Sequence, residues 1–344
     1  MEVCVLKIMM VGIDYKSAGI EVRENVSFVQ GQVRNIIKKM KEQSEALGVA
    51  MISTCNRTEV YFSTNQIDNL EPIKIFCDAT GLEQEKMKNY FYVRKGNLAI
   101  NYLFELTCGI HSLIFGEDQI ITQVKDAISI ANHEKVSDAN LNTIFRCAVT
   151  CAKKVKTNLV LKSVCPSVAN QAVEFMDGFL SDGIKKKVLI IGNGVIGRKV
   201  CEELLRKKCD VFMTLRSHSK NKNIIIPPRC NTVEYNQRQK LISQVDVLIS
   251  ATTSPHYTIT YDMIKDCAKR PKFIIDLAVP RDIEPNVNSI SGVIYRNIDT
   301  LGGFSRKDNS REIAAMREFI DTYMQKIKKW SSNREKVLLG CCQG

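Results

Sequence analysis

The chain has 344 residues, 44% of them hydrophobic and 25% charged, with a formal net charge of +12. That length accommodates two or three domains with cores of their own, and no apolar run approaches the roughly 20 residues of a membrane span. Thirteen Cys, four scattered His, no CxxC and a start (Met1-Glu2-Val3-Cys4) without the marks of a signal peptide point to a reducing cytoplasm with free thiols and argue against a bound metal.

Residues 3–12 alternate loosely and predict a first strand. Val29, Val33, Ile36, Ile37, Met40 and Leu47 recur at helical spacing, which predicts an amphipathic helix over 28–47. Two apolar runs, 48–52 and 60–62, predict strands on either side of the turn Ser53-Thr54-Cys55-Asn56-Arg57-Thr58-Glu59. A cysteine at a strand end in a polar turn is fixed and exposed, and a guanidinium two residues away favours its thiolate. A lone cysteine of this kind is otherwise a small apolar residue beside a turn. Helices are expected over 98–110, 119–131 and 139–160. Gln119 and Gln123 share a face of the second, with Glu117 and Asp118 just upstream; alone, they read as a solvated first turn. Arg146, Lys153, Lys154, Lys156 and Lys162 form a basic run without an acid between them. It reads either as a solvated face or as a contact to a phosphate backbone, and the net positive charge suits a polyanionic partner such as RNA or simply a basic surface.

A helix over 168–180 leads into a second unit. Lys187-Val188-Leu189-Ile190-Ile191 is an apolar run typical of a parallel sheet. Gly192-Asn193-Gly194-Val195-Ile196-Gly197 follows it and opens a helix over 195–208. A GxGxxG between strand and helix is the dinucleotide-binding arrangement: the glycines allow a tight turn and close approach, and the helix N-terminus supplies N–H groups to a pyrophosphate. The next strand, 210–215, ends at Arg216-Ser217 where an acid would select NAD, so NADPH is the expected cofactor. Further strands are predicted at 245–250, 273–275 and 292–295. From Ile313 to Trp330, the apolar residues Ile313, Met316, Ile320, Tyr323, Ile327 and Trp330 trace a 3-4 seam. A long helix carrying it must pack on its own domains or on a second copy.

The string STCNRTE resembles the active-site segment of glutamyl-tRNA reductases. The resemblance extends to Gly12-Ile13-Asp14-Tyr15-Lys16-Ser17-Ala18 with Val22-Arg23-Glu24, to Ser112-Leu113-Ile114-Phe115-Gly116-Glu117-Asp118-Gln119-Ile120 with Gln123-Val124-Lys125, and to Asp276-Leu277-Ala278-Val279-Pro280-Arg281-Asp282-Ile283-Glu284-Pro285. These segments stand in the family's order. The resemblance implies an α/β chain in three parts: a catalytic, substrate-binding domain over 1–150, a Rossmann-like NADPH domain over 151–298 with a helical linker, and a long C-terminal helix over 299–344 with a shortened dimerisation region. It also implies NADPH-dependent reduction of glutamyl-tRNA to glutamate-1-semialdehyde through a thioester on Cys55, in tetrapyrrole biosynthesis. Thr54, Asn56, Arg57, Ser112, Glu117, Asp118, Gln119 and Gln123 would bind the glutamyl group, Arg57 through its carboxylate. Glutamate-1-semialdehyde aminomutase is a downstream partner that the resemblance suggests.

Two departures bear on this expectation. The family's histidine falls by register at Tyr102, and a phenol is a poor general base at neutral pH; Tyr15 likewise stands where histidine is frequent. His111 follows Tyr102 by nine residues, about two and a half turns if the helix continues, which would put it out of reach. The chain also ends at Gly344, where the family continues into a helical dimerisation domain. That leaves the homodimer in question and gives the expectation of a monomer or weak dimer. A small-molecule NADP dehydrogenase of the shikimate dehydrogenase kind, and a non-catalytic tRNA-binding homologue, are the other readings open to the sequence.

Overall fold

The computed structural model describes residues 6–113, 115–116, 119–159, 168–215, 225–301 and 309–341. It divides into two compact units, one of residues 1–165 with 306–344 and one of residues 166–305.

The first unit is built on strands β1 (Ile8–Asp14), β2 (Gly48–Ser53), β3 (Arg57–Ser63) and β4 (Tyr92–Lys95). They form an antiparallel sheet in the order β2-β3-β1-β4. Helices α1 (Gln30–Glu42), α2 (Pro72–Thr80), α3 (Asn97–Thr107), α4 (Gln119–His133) and α5 (Ala139–Asn158) accompany it. Val33, Ile36, Ile37 and Met40 form the buried face of α1, as their spacing predicts, but the helix ends at Glu42 and Leu47 lies outside it, 40% exposed. Strands β1 and β3 are buried throughout. A polar side chain on β3 therefore needs a protein partner, which decides the chemistry of the site.

The second unit carries β5 (Lys187–Ile191), β6 (Asp210–Leu215), β7 (Asn231–Glu234), β8 (Val247–Ser250), β9 (Phe273–Asp276) and β10 (Ile294–Asn297). All six pair parallel, in the order β10-β9-β8-β5-β6-β7. Val188 and Ile190 of β5 enter the apolar core on one face of this sheet, Leu189 and Ile191 that on the other. A strand covered on both faces has no reason to alternate, and this one reads as an unbroken apolar run. The helix predicted over 168–180 is two pieces, α6 (Val168–Phe175) and a single turn, Asp177–Leu180; α7 (Val195–Arg206) follows β5.

The last helix, α8 (Ser310–Cys341), belongs to the first unit and not to a region of its own. Its seam is used within the chain: Met316, Ile320, Tyr323 and Ile327 are buried in the first unit's core, and Trp330 packs against it. The Tyr323 ring lies 6.3 Å from that of Phe104 on α3. Arg334 donates to the Asn140 side chain of α5 at 2.6 Å. Among the described residues no helix is long and apolar enough to cross a membrane.

Candidate active site

Strands β2 and β3 form a hairpin with Ser53 opposite Thr58, so Thr54, Cys55 and Asn56 are its tip. The tip is tied down residue by residue. Thr54 N–H donates to the Arg57 carbonyl at 2.8 Å, and Thr54 Oγ1 accepts from the N–H groups of Asn56 and Arg57 at 3.2 Å each. The Asn56 carbonyl accepts from Tyr15 N–H at 3.0 Å. The Cys55 carbonyl accepts from Arg23 Nη1 at 2.8 Å, and Arg23, 2% exposed, also donates to the Ala18 carbonyl at 3.2 Å. At the base of the loop, Ser53 Oγ accepts from Phe28 N–H at 3.0 Å and Thr58 Oγ1 donates to the Val26 carbonyl at 2.6 Å. The half-buried thiol of Cys55 thus sits on a loop that has little freedom to move it. Asn56 Oδ1 is buried without a hydrogen-bond partner among the described residues, an acceptor that lacks a donor.

Arg57, which the resemblance assigns to the glutamyl carboxylate, is engaged by groups of the protein itself. It is 3% exposed. Nη1 donates to Glu59 Oε1 at 2.9 Å and to the Tyr102 hydroxyl at 3.0 Å, with Asp14 Oδ2 4.0 Å away, and Nη2 donates to the His111 carbonyl. Strand geometry explains why. Arg57, Glu59 and Tyr61 stand at alternate positions and therefore on one face of β3. Glu59 is fully buried, and besides Arg57 its oxygens accept from the hydroxyls of Tyr92 and Tyr102 at 3.0 Å each and of Tyr61 at 2.9 Å. Gly12 on β1 lies opposite both Glu59 and Tyr92. A Cβ there would come within 2.9 Å of Glu59 Cγ and 3.0 Å of the Tyr92 hydroxyl, so the glycine lets the carboxylate and the phenol meet across the strand. Burial, the largest single effect, would lower the pKa of the Arg57 guanidinium; the Glu59 charge together with the Tyr102 and Tyr92 phenols outweighs it and holds the guanidinium above its ordinary value. Burial, then the same charge, pushes the Tyr61, Tyr92 and Tyr102 phenols up.

Tyr102 is therefore a strut. Its hydroxyl is within 3.0 Å of Arg57, Glu59 and Tyr92, and the Arg94 guanidinium lies 4.5 Å above its ring. The expected separation of His111 from Tyr102 is also corrected. Helix α3 stops at Thr107; Gly109, at φ +84°, turns the chain back, and Ile110 N–H caps the Glu105 carbonyl at 3.0 Å. The His111 ring comes to lie on that of Tyr102, 4.6 Å between centroids and 21° between planes. His111 Nε2 is 2.7 Å from Glu105 Oε2, and the other oxygen of Glu105 accepts from Arg317 Nε of α8 at 2.9 Å. Those two partners, opposed by burial, hold the Glu105 carboxyl below its usual range.

Of the substrate-site residues expected from sequence, the structure brings Thr54, Cys55, Asn56 and Arg57 together with Tyr102. Ser112, 9% exposed, follows His111 in the turn. Gln119 and Gln123 are half-buried on the first turns of α4, and among the described residues neither is bonded to the hairpin. Glu117 and Asp118 lie outside the described residues. Arg23, Glu59, Tyr92, Glu105 and His111 join the site through contacts that are not evident from the sequence.

In the second unit, Gly192, at φ +105°, and Gly197 are packing glycines. A Cβ on Gly192 would lie 2.6 Å from the Ala251 carbonyl oxygen and one on Gly197 2.2 Å from that of Gly192. Gly194, the N-cap of α7, faces open space, its nearest atom 3.9 Å away. Asn193 Oδ1 is buried without a partner among the described residues, and Val195 and Ile196 begin the helix. A turn pressed against the sheet, an open glycine at a helix N-terminus and an orphaned acceptor fit a dinucleotide pyrophosphate and its attached groups. Beside it, at the carboxyl ends of β8 and β9, Asp282 accepts from Thr252 N–H at 2.7 Å and Ser250 Oγ at 2.7 Å. Asp276, its carboxyl pushed up to about 8 by burial, accepts from Ala278 and Ile283 N–H at 3.0 and 2.9 Å. These carboxyl groups fix the loops at the sheet edge. Arg216 and Ser217 lie outside the described residues.

Comparison with known proteins agrees with the division into units. The family profile described as glutamyl-tRNAGlu reductase, N-terminal domain, matches residues 11–159, and that of shikimate/quinate 5-dehydrogenase matches residues 178–303. The chain is 38% identical over 335 residues to a glutamyl-tRNA reductase of Acetivibrio thermocellus, covering 97% of this chain and all of that protein. It is 36% identical over 337 residues to one of Alkaliphilus oremlandii, covering 98% of this chain and all of that one. It is also 39% identical over 339 residues to a probable multifunctional siroheme biosynthesis protein HemA of Ruminiclostridium josui, covering 98% of this chain but 65% of that protein.

Proposed function

The chain belongs to the glutamyl-tRNA reductase family, and on that premise we propose that it reduces the glutamyl group of glutamyl-tRNA to glutamate-1-semialdehyde, with NADPH as reductant and a thioester on Cys55 as intermediate. The observation that carries the proposal is the half-buried Cys55 thiol on a hairpin tip whose backbone is bonded at every residue. A nucleophile held in place meets its carbonyl without an ordering cost at each turnover.

Cys55 Sγ attacks the ester carbonyl, the bond to the ribose oxygen breaks, and a thioester is left. A thioester accepts a reductant more readily than an oxygen ester, which is why the nucleophile is sulfur. Gly192, Asn193, Gly194, Val195, Ile196 and Gly197 would hold the dinucleotide, which when bound supplies the hydride. Asn56 Oδ1, buried and without a donor, suits an N–H of the glutamyl group. Thr54, Ser112, Gln119 and Gln123, with Glu117 and Asp118, complete the group proposed to surround it. Arg57 holds the hairpin against the turn that carries Ser112. The shikimate/quinate profile covers the second unit alone and leaves the hairpin without a purpose. The test is dinucleotide oxidation by the full chain. Oxidation that depends on glutamyl-tRNA, and is not supported by free glutamate or shikimate, supports the proposal; oxidation with shikimate and none with glutamyl-tRNA overturns it.

Two further expectations concern the ligands. Arg216 is proposed to meet the 2′-phosphate, so Arg216→Asp should cost NADPH binding about 1.5–3 kcal/mol, the range for a hydrogen bond to a charged group, and leave NADH nearly unchanged. Equal wild-type affinity for the two nucleotides would contradict this. Arg146, Lys153 and Lys154 are exposed on α5, and they are proposed to contact tRNA phosphates together with Lys156. Replacing Lys153, Lys154 and Lys156 by Gln should flatten the salt dependence of tRNA binding by about one unit per lost contact. An unchanged slope would make the run a solvated face.

A further inference from the structure

Resting on that reading, we infer that His111 is the proton-transferring residue of the acyl-transfer step, oriented by Glu105, which Arg317 of α8 anchors. The site needs a group that can take the thiol proton of Cys55 and give it to the departing ribose oxygen. Tyr102 does not serve, since its hydroxyl is buried within 3.0 Å of Arg57, Glu59 and Tyr92. Arg57 is a permanent cation.

His111 has the opposite character. Its side chain is 20% exposed. Nε2 is bonded to Glu105 at 2.7 Å, and no bond to Nδ1 is found among the described residues. A carboxylate on Nε2 favours the tautomer with its proton there, which leaves the Nδ1 lone pair available. One ring nitrogen held by a carboxylate and the other open is the arrangement of a base that serves a nucleophile. The ring is braced on its flat side by Tyr102, at 4.6 Å. The residue is one hydrogen bond from the hairpin, since its carbonyl accepts from Arg57, two positions after Cys55. The ionisable groups around it are Glu105 and Tyr102 of α3, Arg317 of α8 and Arg57 of β3.

The step balances. Nδ1 takes the proton from Cys55 Sγ, the S–C bond forms, the bond from the carbonyl carbon to the ribose oxygen breaks, and the same proton passes from Nδ1 to that oxygen. Thiol and ester become thioester and alcohol, with no net change in protons or electrons.

The test is single-turnover acylation of the full-length protein by glutamyl-tRNA labelled in the glutamyl group, without dinucleotide, over about pH 5 to 9. His111→Phe keeps a ring on Tyr102 and removes both nitrogens. It should slow acylation by about 10²-fold and alter the form of the rate–pH profile, while dinucleotide binding is kept. His111→Asn should do the same if the phenylalanine variant fails to fold. Glu105→Gln, which alters only the orienting group, should slow acylation by less and leave the rate pH-dependent. Acylation by both His111 variants within about twofold of wild type and with the wild-type profile would overturn the inference while leaving the thioester intact. Absence of any wild-type adduct would overturn the proposed function and this inference with it.

Discussion

Cys55→Ser is expected to abolish turnover with glutamyl-tRNA while leaving dinucleotide affinity unchanged. The loss follows from the chemistry of the atom and not from packing. A serine hydroxyl on the same tip would keep every backbone bond that Arg23, Tyr15 and Arg57 make with it, but it lacks the thiolate's nucleophilicity and would form an oxygen ester that gains nothing over the substrate. The glycine turn at 192–197 belongs to the other compact unit, so its binding serves as the internal control. Rate assays with glutamyl-tRNA together with dinucleotide titrations check both halves. Robust reduction by Cys55→Ser would defeat the covalent route.

Glu59→Ala should be the most disruptive single change to the first unit. The carboxylate is fully buried and accepts from Arg57 and three tyrosines. Truncation leaves the buried Arg57 without its close counter-charge, with Asp14 at 4.0 Å, and three phenols short of an acceptor. Breaking a buried pair from one side costs about 3–5 kcal/mol. Denaturant unfolding should show a loss of that size in the transition of the first unit. A change below about 1 kcal/mol, the level of an exposed pair, would mean that water reaches the cluster. Because Arg57 begins the strand that leaves the hairpin, the variant should also lose acylation of Cys55 under conditions where it is still folded.

How much of this the sequence revealed depends on where its signals were strong. Strands β5 and β6 have the bounds expected for them, because apolar runs between turn signals leave few alternatives. Strand β7 was not foreseen: Asn231, Thr232 and Glu234 are exposed at the sheet edge, where no apolar pattern is required. Strand β4, also an edge, is half-buried and equally quiet. The cysteine hairpin was legible from its string, but the burial of Arg57 was not, although alternation carried the signal. Arg57, Glu59 and Tyr61 recur with period two on a strand that is buried throughout, and polar groups on a buried face need one another. The position of His111 turned on one residue. Continuing α3 past Gly109 carries the histidine away from Tyr102, whereas reading that glycine as a helix stop folds it back. The contact of Arg317 with Glu105 spans 212 positions, and no local pattern announces it.

The measurement that bears most directly on the central claim is the location of a trapped acyl group. The protein is incubated with glutamyl-tRNA labelled in its glutamyl group, without dinucleotide, then digested at acid pH, and the labelled peptide is identified. The account predicts a single thioester on the peptide containing Cys55, lost on addition of NADPH with release of an aldehyde. Tight tRNA binding with no label on the protein, or label on a residue other than Cys55, would contradict it.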